Sequence, residues 1–130
     1  LPFVGARRRL LDASRRAGVA NLVALTGDLH CSIAADLELD GVRYGSEILA
    51  TSISSVFAPD LGSLFELGMS LLPHVKLANT RNRGYVRAEL DGQEARFAFR
   101  HLADAADAAS AITTTSQWVV RNGTPGLQRA

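Results

Sequence analysis

Hydrophobic and polar residues follow two different patterns over the first 26 residues. Leucines and alanines interleave with five arginines over 6–17, which predicts a helix, and Gly18 provides a C-terminal stop. Residues 21–26 then form a short, nearly continuous apolar run, which predicts a strand buried on both faces, as in parallel sheets. A helix that leads into such a strand is typical of α/β domains.

The middle of the chain predicts further helical and extended segments that are separated by turn residues. The predicted elements are a helical turn and then a strand over 32–39, a strand over 46–52 and a helix over 61–72. Asp40-Gly41 provides the turn after the first of these segments. Pro73 ends the helix, and the polar stretch 79–83 is predicted to be a loop.

Two alternating segments, 85–90 and 94–100, predict a β-hairpin around an Asp-Gly turn. The apolar residues on its inner face are predicted to be Val86, Ala88 and Leu90, opposite Ala95, Phe97 and Phe99. A two-residue loop would set Arg87 opposite Arg96, and like charges that oppose each other are unfavourable. A longer loop therefore remains open as an alternative register.

The last part of the chain combines an alanine-rich segment with a β-branched one. Residues 103–111 are rich in alanine, which predicts a helix. The β-branched residues of 113–121 favour a strand, and 122–126 are predicted to form a closing turn.

Composition narrows the functional classes. The chain has 130 residues, 47% of them hydrophobic and 21% charged, which is ordinary for one globular domain. A net charge of +1 gives no electrostatic argument for nucleic acid or a membrane surface, and no apolar run is long enough for a membrane helix. One cysteine, Cys31, excludes an internal disulfide. Because the sequence begins at Leu1 rather than Met, we expect its natural start to lie upstream.

One acid and one histidine directly follow the first predicted strand. Gly27 ends the apolar run, and Asp28 and His30 come next, two residues apart. Open α/β sheets bind ligands at the carboxyl ends of their strands, and a carboxylate with an imidazole suits a transition-metal or mixed-metal site. Asp28 and His30 are therefore candidate metal ligands. The alternative is a turn in which the carboxylate bonds to backbone amides and the imidazole caps a helix.

Four blocks resemble, in order, the C-terminal part of PhoD-like alkaline phosphatases, within the metallophosphoesterase superfamily. The blocks are 25–37, 47–55, 73–76 with 83–86, and 119–127. The first is similar to the family's Gly-Asp-x-His motif. The resemblance implies an α/β fold, in which this chain is part of a layered metallophosphoesterase sandwich with mixed β-sheet and flanking helices. It also implies that 1–130 is the C-terminal portion of an incomplete domain.

The same resemblance implies a reaction and its metals. The complete protein would hydrolyse phosphate monoesters or diesters, and Asp28 and His30 would bind different ions of a centre that contains Fe³⁺ and Ca²⁺. Metal ions neutralise phosphoryl oxygens and activate a water molecule. No catalytic residue beyond these ligands and no other cofactor is expected in this chain. Members of the family are usually exported, so the resemblance implies a secreted or periplasmic location, which the chain's own sequence leaves unknown.

A second hypothesis is that the chain is a truncated, non-catalytic fragment or a structural interaction module that keeps half of the fold. Most metal ligands of the family lie before the part that is matched here. We therefore expect the isolated chain to have little or no phosphatase activity. A serine hydrolase that uses Ser54 ranks last, because the Gly-x-Ser-x-Gly elbow is absent.

The other polar residues have competing interpretations. His74 could lie near the phosphate, but a hydrogen bond within its own loop is favoured, and His101 is expected to face solvent. Three serines are expected to bond to backbone behind the site rather than to act as nucleophiles; they are Ser52, Ser54 and Ser55.

Three further features of the sequence concern charge and sulfur. Arg81 and Arg83 are better placed to meet an anionic substrate than the helix arginines, which are expected to form a solvated face. Cys31 is a possible soft metal ligand, although a small buried residue at a tight turn is favoured.

Overall fold

The computed structural model describes residues 3–130, which form two four-stranded sheets and two helices. The helices are α1 (Val4–Arg16) and α2 (Gly62–Ser70). The strands of the first sheet are β1 (Leu22–Thr26), β2 (Ser32–Leu39), β3 (Val42–Leu49) and β4 (Val75–Asn79). The strands of the second sheet are β5 (Gly84–Leu90), β6 (Glu94–Leu102), β7 (Ile112–Arg121) and β8 (Thr124–Arg129).

The first sheet is mixed, with strand order β1-β3-β2-β4. β1 pairs with β3 in parallel, whereas β2 pairs antiparallel with both β3 and β4. Asp40 and Gly41 join β2 to β3, and both have positive φ, 52° and 73°, as a tight hairpin turn requires. The Asp-Gly turn predicted from the sequence is confirmed.

The second sheet is an antiparallel meander with strand order β5-β6-β7-β8. The predicted hairpin is confirmed, with Val86, Ala88 and Leu90 opposite Phe99, Phe97 and Ala95. Its loop is the longer alternative, so Arg87 lies opposite Ala98, and Arg96 lies opposite Glu89. The register therefore avoids opposed like charges.

Three apolar clusters hold these layers together. The first lies between the two sheets and consists of Ala34, Ile48, Phe97, Phe99, Trp118, Val120 and Leu127. The second brings Phe65 and Met69 of α2 onto β2, and the third brings Leu11 of α1 onto Leu37 and Tyr44. The first sheet is thus covered by a second sheet on one face and by helices on the other. The predicted α/β class with mixed sheet and flanking helices is confirmed.

The structure also corrects several predicted elements. β1 is an edge strand whose Leu25 is 63% exposed, so the prediction of a strand buried on both faces is wrong. Residues 32–39 are extended throughout, without the predicted helical turn, because each pairs with β3, β4 or both. The second predicted strand, 46–52, instead spans Val42–Leu49.

The alanine-rich segment 103–111 contains no helix, contrary to prediction. Asp104 Oδ1 accepts a hydrogen bond from Ala106 N, and Asp107 Oδ1 accepts one from Ala109 N, each at 2.8 Å. Aspartates that bond to a backbone amide two residues on favour turns over helix.

Two strands, β4 and β8, lie where no strand was predicted, whereas both predicted helices flanking the first sheet are present. The arginines of α1 are exposed, as predicted. Within residues 3–130, no helix is long and apolar enough to span a membrane.

Candidate metal centre

Three loops converge at one edge of the first sheet. β1 and β3 are parallel and end together at Thr26 and Leu49, whereas β2 begins at that level beside the end of β4. The loops that leave or enter these strands are 27–31, 50–55 and 80–83. This edge is therefore where polar side chains from distant parts of the sequence meet, as expected for the carboxyl ends of strands in α/β sheets.

Asp28 and His30 lie in the first of these loops, directly after β1. Asp28 is exposed and His30 is half-buried, so both are open to solvent. Both adopt positive φ, 76° and 55° respectively. Such a conformation costs non-glycine residues about 1–3 kcal/mol and persists only where the surrounding structure fixes it. Strain of this kind concentrates at functional sites.

Neither of these two side chains makes a hydrogen bond to another part of residues 3–130. The alternative in which the Asp28 carboxylate bonds to backbone amides is therefore not the arrangement in this fold. An open carboxylate and imidazole fit, in kind, the oxygen and nitrogen donors that Ca²⁺ and iron take. In number they do not complete a site, because the part of the chain described contains no group of three His, Cys, Asp or Glu residues able to hold a metal ion.

Arg83 is buried under the loop that carries these two residues, with only 6% of its surface exposed. Its Nη1 donates to His30 O at 2.7 Å, and its Nη2 donates to Thr80 O at 2.6 Å. The sequence-based expectation that Arg83 meets an anionic substrate is wrong, because its terminal nitrogens are occupied by protein acceptors. Arg81 remains exposed, with Nη2 3.3 Å from a carboxylate oxygen of Glu66.

The 50–55 loop contributes two hydroxyl groups to the same edge. Thr51 is buried, and its Oγ1 lies 3.3 Å from His30 O and 3.1 Å from Asn82 O. Ser52 Oγ accepts a hydrogen bond from Arg83 Nη1 at 3.2 Å and donates to Ser55 O. The prediction that serines here bond to backbone is thus confirmed for Ser52.

His101 of β6 is buried with 2% exposure, so the expectation that it faces solvent is wrong. Its Nε2 is 2.9 Å from Ser32 Oγ, and its Nδ1 is 2.8 Å from Thr115 Oγ1. Burial lowers the pKa of His101, and the nearby positive charge of Arg83 lowers that pKa further. The imidazole of His101 therefore joins the second sheet to the start of β2.

Comparison with known proteins identifies the family of this fold. The sequence model of the family described as PhoD-like phosphatase matches residues 3–99. The chain belongs to the PhoD-like phosphatase family. It is 27% identical over 129 residues to alkaline phosphatase D of Bacillus subtilis (strain 168), covering 95% of this chain and 22% of that protein.

A solved structure shares the fold. The structure described as that of PhoD superposes with a TM-score of 0.80 at 24% identity, over 95% of this chain and 25% of that chain. The PhoD-like chain therefore spans about a quarter or less of the relatives that it matches. The resemblance predicted from the four sequence blocks is confirmed at the level of family and fold.

Two other residues that the sequence suggested for phosphate binding, His74 and Arg81, are not grouped with Asp28 and His30 in this PhoD-like chain. His74 O accepts a hydrogen bond from Asp36 N at 2.8 Å, which places it about 13 Å along β2 from Ser32. His74 is thus distant from the converging loops. Arg81, Ser54 and Asp104 line a surface groove of about 420 Å³, and neither Asp28 nor His30 belongs to its lining.

Cys31 is fully buried beside His30, as favoured from the sequence. Burial raises the pKa of its thiol, and the positive charge of Arg83 partly opposes that rise. The thiol packs in the apolar cluster with Ile33, Ala35 and Leu49. In this conformation Cys31 acts as a small core residue at the turn.

Thr51, Arg83 and His101 hold the backbone around the candidate ligands, and sequence reasoning missed all three contacts. Each contacts a residue far away in the sequence: Arg83 and His30 are 53 residues apart, Thr51 and Arg83 are 32 apart, and His101 and Ser32 are 69 apart. No local pattern signals contacts across such separations. The only available signal was the position of Arg83 in a polar loop that precedes a strand.

Proposed function

We propose that the complete protein hydrolyses phosphate monoesters or diesters, and that this chain supplies Asp28 and His30 as ligands of its metal ions. One observation carries the proposal: two open donor side chains, which bond to no other side chain or backbone group of residues 3–130, lie in a strained loop at the carboxyl end of β1. Membership of the PhoD-like phosphatase family supports the phosphoester substrate class.

The family resemblance implies different tasks for the two residues. The Asp28 carboxylate and the His30 imidazole would bind different ions of a centre containing Fe³⁺ and Ca²⁺. When bound, such ions supply positive charge to the phosphoryl oxygens and activate a water molecule. The chain itself contributes the fixed loop that presents the donors.

The family resemblance also implies a location for the protein, because PhoD-like enzymes are usually exported. We propose that the protein works outside the cytoplasm, where it would meet soluble phosphate esters. The similarity to alkaline phosphatase D over 95% of this chain supports this assignment.

A non-catalytic structural module is the second candidate. The absence of a third metal-ligating side chain beside Asp28 and His30 within residues 3–130 favours it for the chain alone. Ca²⁺ takes 6–8 oxygen ligands, so these two residues cannot form a complete site. Under either candidate, the isolated chain is not expected to hydrolyse phosphate esters.

The test replaces each ligand separately in the complete protein. Asp28→Ala and His30→Ala should each lower bound metal and turnover of p-nitrophenyl phosphate together, because losing a ligand removes affinity and chemistry at once. Metal content is measured by inductively coupled plasma mass spectrometry, and turnover by release of p-nitrophenol.

Matched controls use the same residue types at positions outside the three converging loops. Asp60→Ala changes an exposed acid before α2, and His74→Ala changes a histidine that directly precedes β4; both should retain metal and activity. Full metal content in both Asp28→Ala and His30→Ala would contradict the ligand assignment.

A further inference from the structure

A buried positive charge lies under the proposed metal-binding loop without a carboxylate partner. Arg83 is 6% exposed, and no ion pair within residues 3–130 includes it. Its hydrogen-bond acceptors are all neutral: His30 O, Thr80 O, Arg81 O, Thr51 Oγ1 and Ser52 Oγ. Burying a charge is costly unless its hydrogen bonds are satisfied, so these acceptors offset the cost of burying Arg83.

The contact with His30 acts on the backbone of the loop. Arg83 Nη1 donates to His30 O at 2.7 Å, and His30 has a φ of 55°. Because the peptide group is planar, fixing this carbonyl fixes the orientation of the peptide that links His30 to Cys31. Cys31 is fully buried, so the far end of that peptide is fixed as well. The strained conformation of His30 is thereby held between a guanidinium and the core.

The same guanidinium joins all three converging loops. Nη1 contacts the 27–31 and 50–55 loops, whereas Nη2 contacts the 80–83 loop. The rigid planar fork of arginine allows both nitrogens to donate in fixed directions, which the single ammonium of lysine cannot reproduce.

We propose that Arg83 is a positioning residue that fixes the backbone at His30 and so directs the imidazole to its metal ion. This inference rests on the proposed function, because it assumes that His30 is a ligand. Arg83 contacts neither substrate nor metal in this assignment. Groups that orient metal ligands in this way typically change metal affinity or activity 10- to 100-fold when they are replaced.

The experiment compares metal retention in the complete protein and in its Arg83→Lys and Arg83→Gln variants. Each is loaded with Fe³⁺ and Ca²⁺ and dialysed against increasing EDTA, and the retained metal is measured by mass spectrometry. The chelator concentration at half-loss should fall about 10- to 100-fold in both variants. The KM for p-nitrophenyl phosphate at saturating metal should not change, whereas it would rise if Arg83 contacted substrate.

Arg43→Gln is the matched control for general destabilisation. Arg43 Nη2 lies 3.2 Å from the buried carboxylate of Asp36, far from the converging loops. This variant should lower the unfolding temperature and leave metal retention unchanged. Thr51→Val is a second test of how His30 O is held, because it removes a hydroxyl that accepts from Arg83 Nη1 and lies 3.3 Å from His30 O, while keeping the side-chain shape. It should shift metal retention in the same direction by a smaller factor.

Each outcome decides the inference. Unchanged metal retention in the Arg83 variants overturns the positioning role, as does an equal loss in Arg43→Gln at the same loss of thermal stability. If the Arg83 variants fail to fold, unchanged retention in Thr51→Val overturns it. If the unmodified protein holds metal but hydrolyses no phosphate ester, the proposed function fails while the Arg83 comparison still decides positioning. An unmodified protein that binds neither ion contradicts both.

Discussion

Asp28 and His30 adopt a backbone conformation that aspartate and histidine tolerate better than most residues. Both have positive φ in the loop that connects β1 to β2, and neither side chain bonds to the described part of the protein. A short polar side chain at such a position usually satisfies itself by bonding to nearby backbone. The strain and the open donors therefore agree with a role for these residues outside the protein's own hydrogen-bond network.

The buried His101 makes folding stability depend on pH. Its pKa in the folded chain is lowered from 6.5, chiefly by burial and additionally by Arg83. Below pH 6.5 the unfolded chain binds a proton that the folded chain resists, so stability is present above this pH and is lost as the pH falls towards the lowered pKa. The urea midpoint should therefore decrease between pH 7.5 and pH 5.5, and His101→Gln should reduce that decrease. A decrease of the same size in His101→Gln would contradict the assignment.

β1 owes its position to a glycine on the neighbouring strand. A Cβ atom at Gly45 of β3 would lie 2.2 Å from Leu22 O, so the two backbones approach more closely than any side chain allows. The loop with Asp28 and His30 leaves the end of this strand. The close approach at one end of β1 therefore affects where the candidate ligands lie at the other.

Gly45→Ala should displace β1 and destabilise the protein by about 1–3 kcal/mol, the usual cost of overpacking. It should also lower metal content, because β1 carries the ligand loop. Gly92→Ala is the control, since nothing lies within 4 Å of a Cβ at that position. The free energy of unfolding from urea titration and the metal content provide the measurements. Equal stability of the Gly45 and Gly92 variants would show that β1 does not depend on this contact.

Elements with strong local signals were predictable, and those decided by tertiary pairing were not. The alternation through Phe97 and Phe99 revealed the hairpin, and the apolar run before Gly27 revealed β1. β4 is only five residues long and exists because β2 offers it a partner, which no local pattern reports. The helix prediction for 103–111 was wrong for a local reason. The side chains of Asp104 and Asp107 bond to nearby backbone amides, and these bonds favour turns in an alanine-rich sequence.

At the scale of the whole molecule, the candidate site lies where the two sheets meet. Gly84 N of the second sheet donates to Ser52 O at 3.2 Å, and Leu102 N donates to Arg83 O at 2.8 Å. The middle of β2 is tied to the second sheet by Leu127 N, which donates to the buried Asp36 carboxylate at 2.8 Å. Packing of the sheets and geometry of the site are therefore coupled.

The sequence predicted the two candidate ligands and the strand end that presents them, but not this support. Gly27, Asp28 and His30 are adjacent in the sequence, so their relation was visible without a structure. Arg83 and His101 contact the site through a sheet arrangement that brings together loops from distant parts of the chain. Such contacts depend on strand order, and strand order did not follow from the patterns.

Anomalous X-ray diffraction from crystals of the complete protein, grown with Fe³⁺ and Ca²⁺, tests the central claim most directly. Data collected above and below the iron absorption edge locate iron, and long-wavelength data locate calcium. The account predicts an ion within about 2.6 Å of an Asp28 carboxylate oxygen and another at a similar distance from a ring nitrogen of His30. Ions bound elsewhere, with both of these side chains left in solvent, would contradict it.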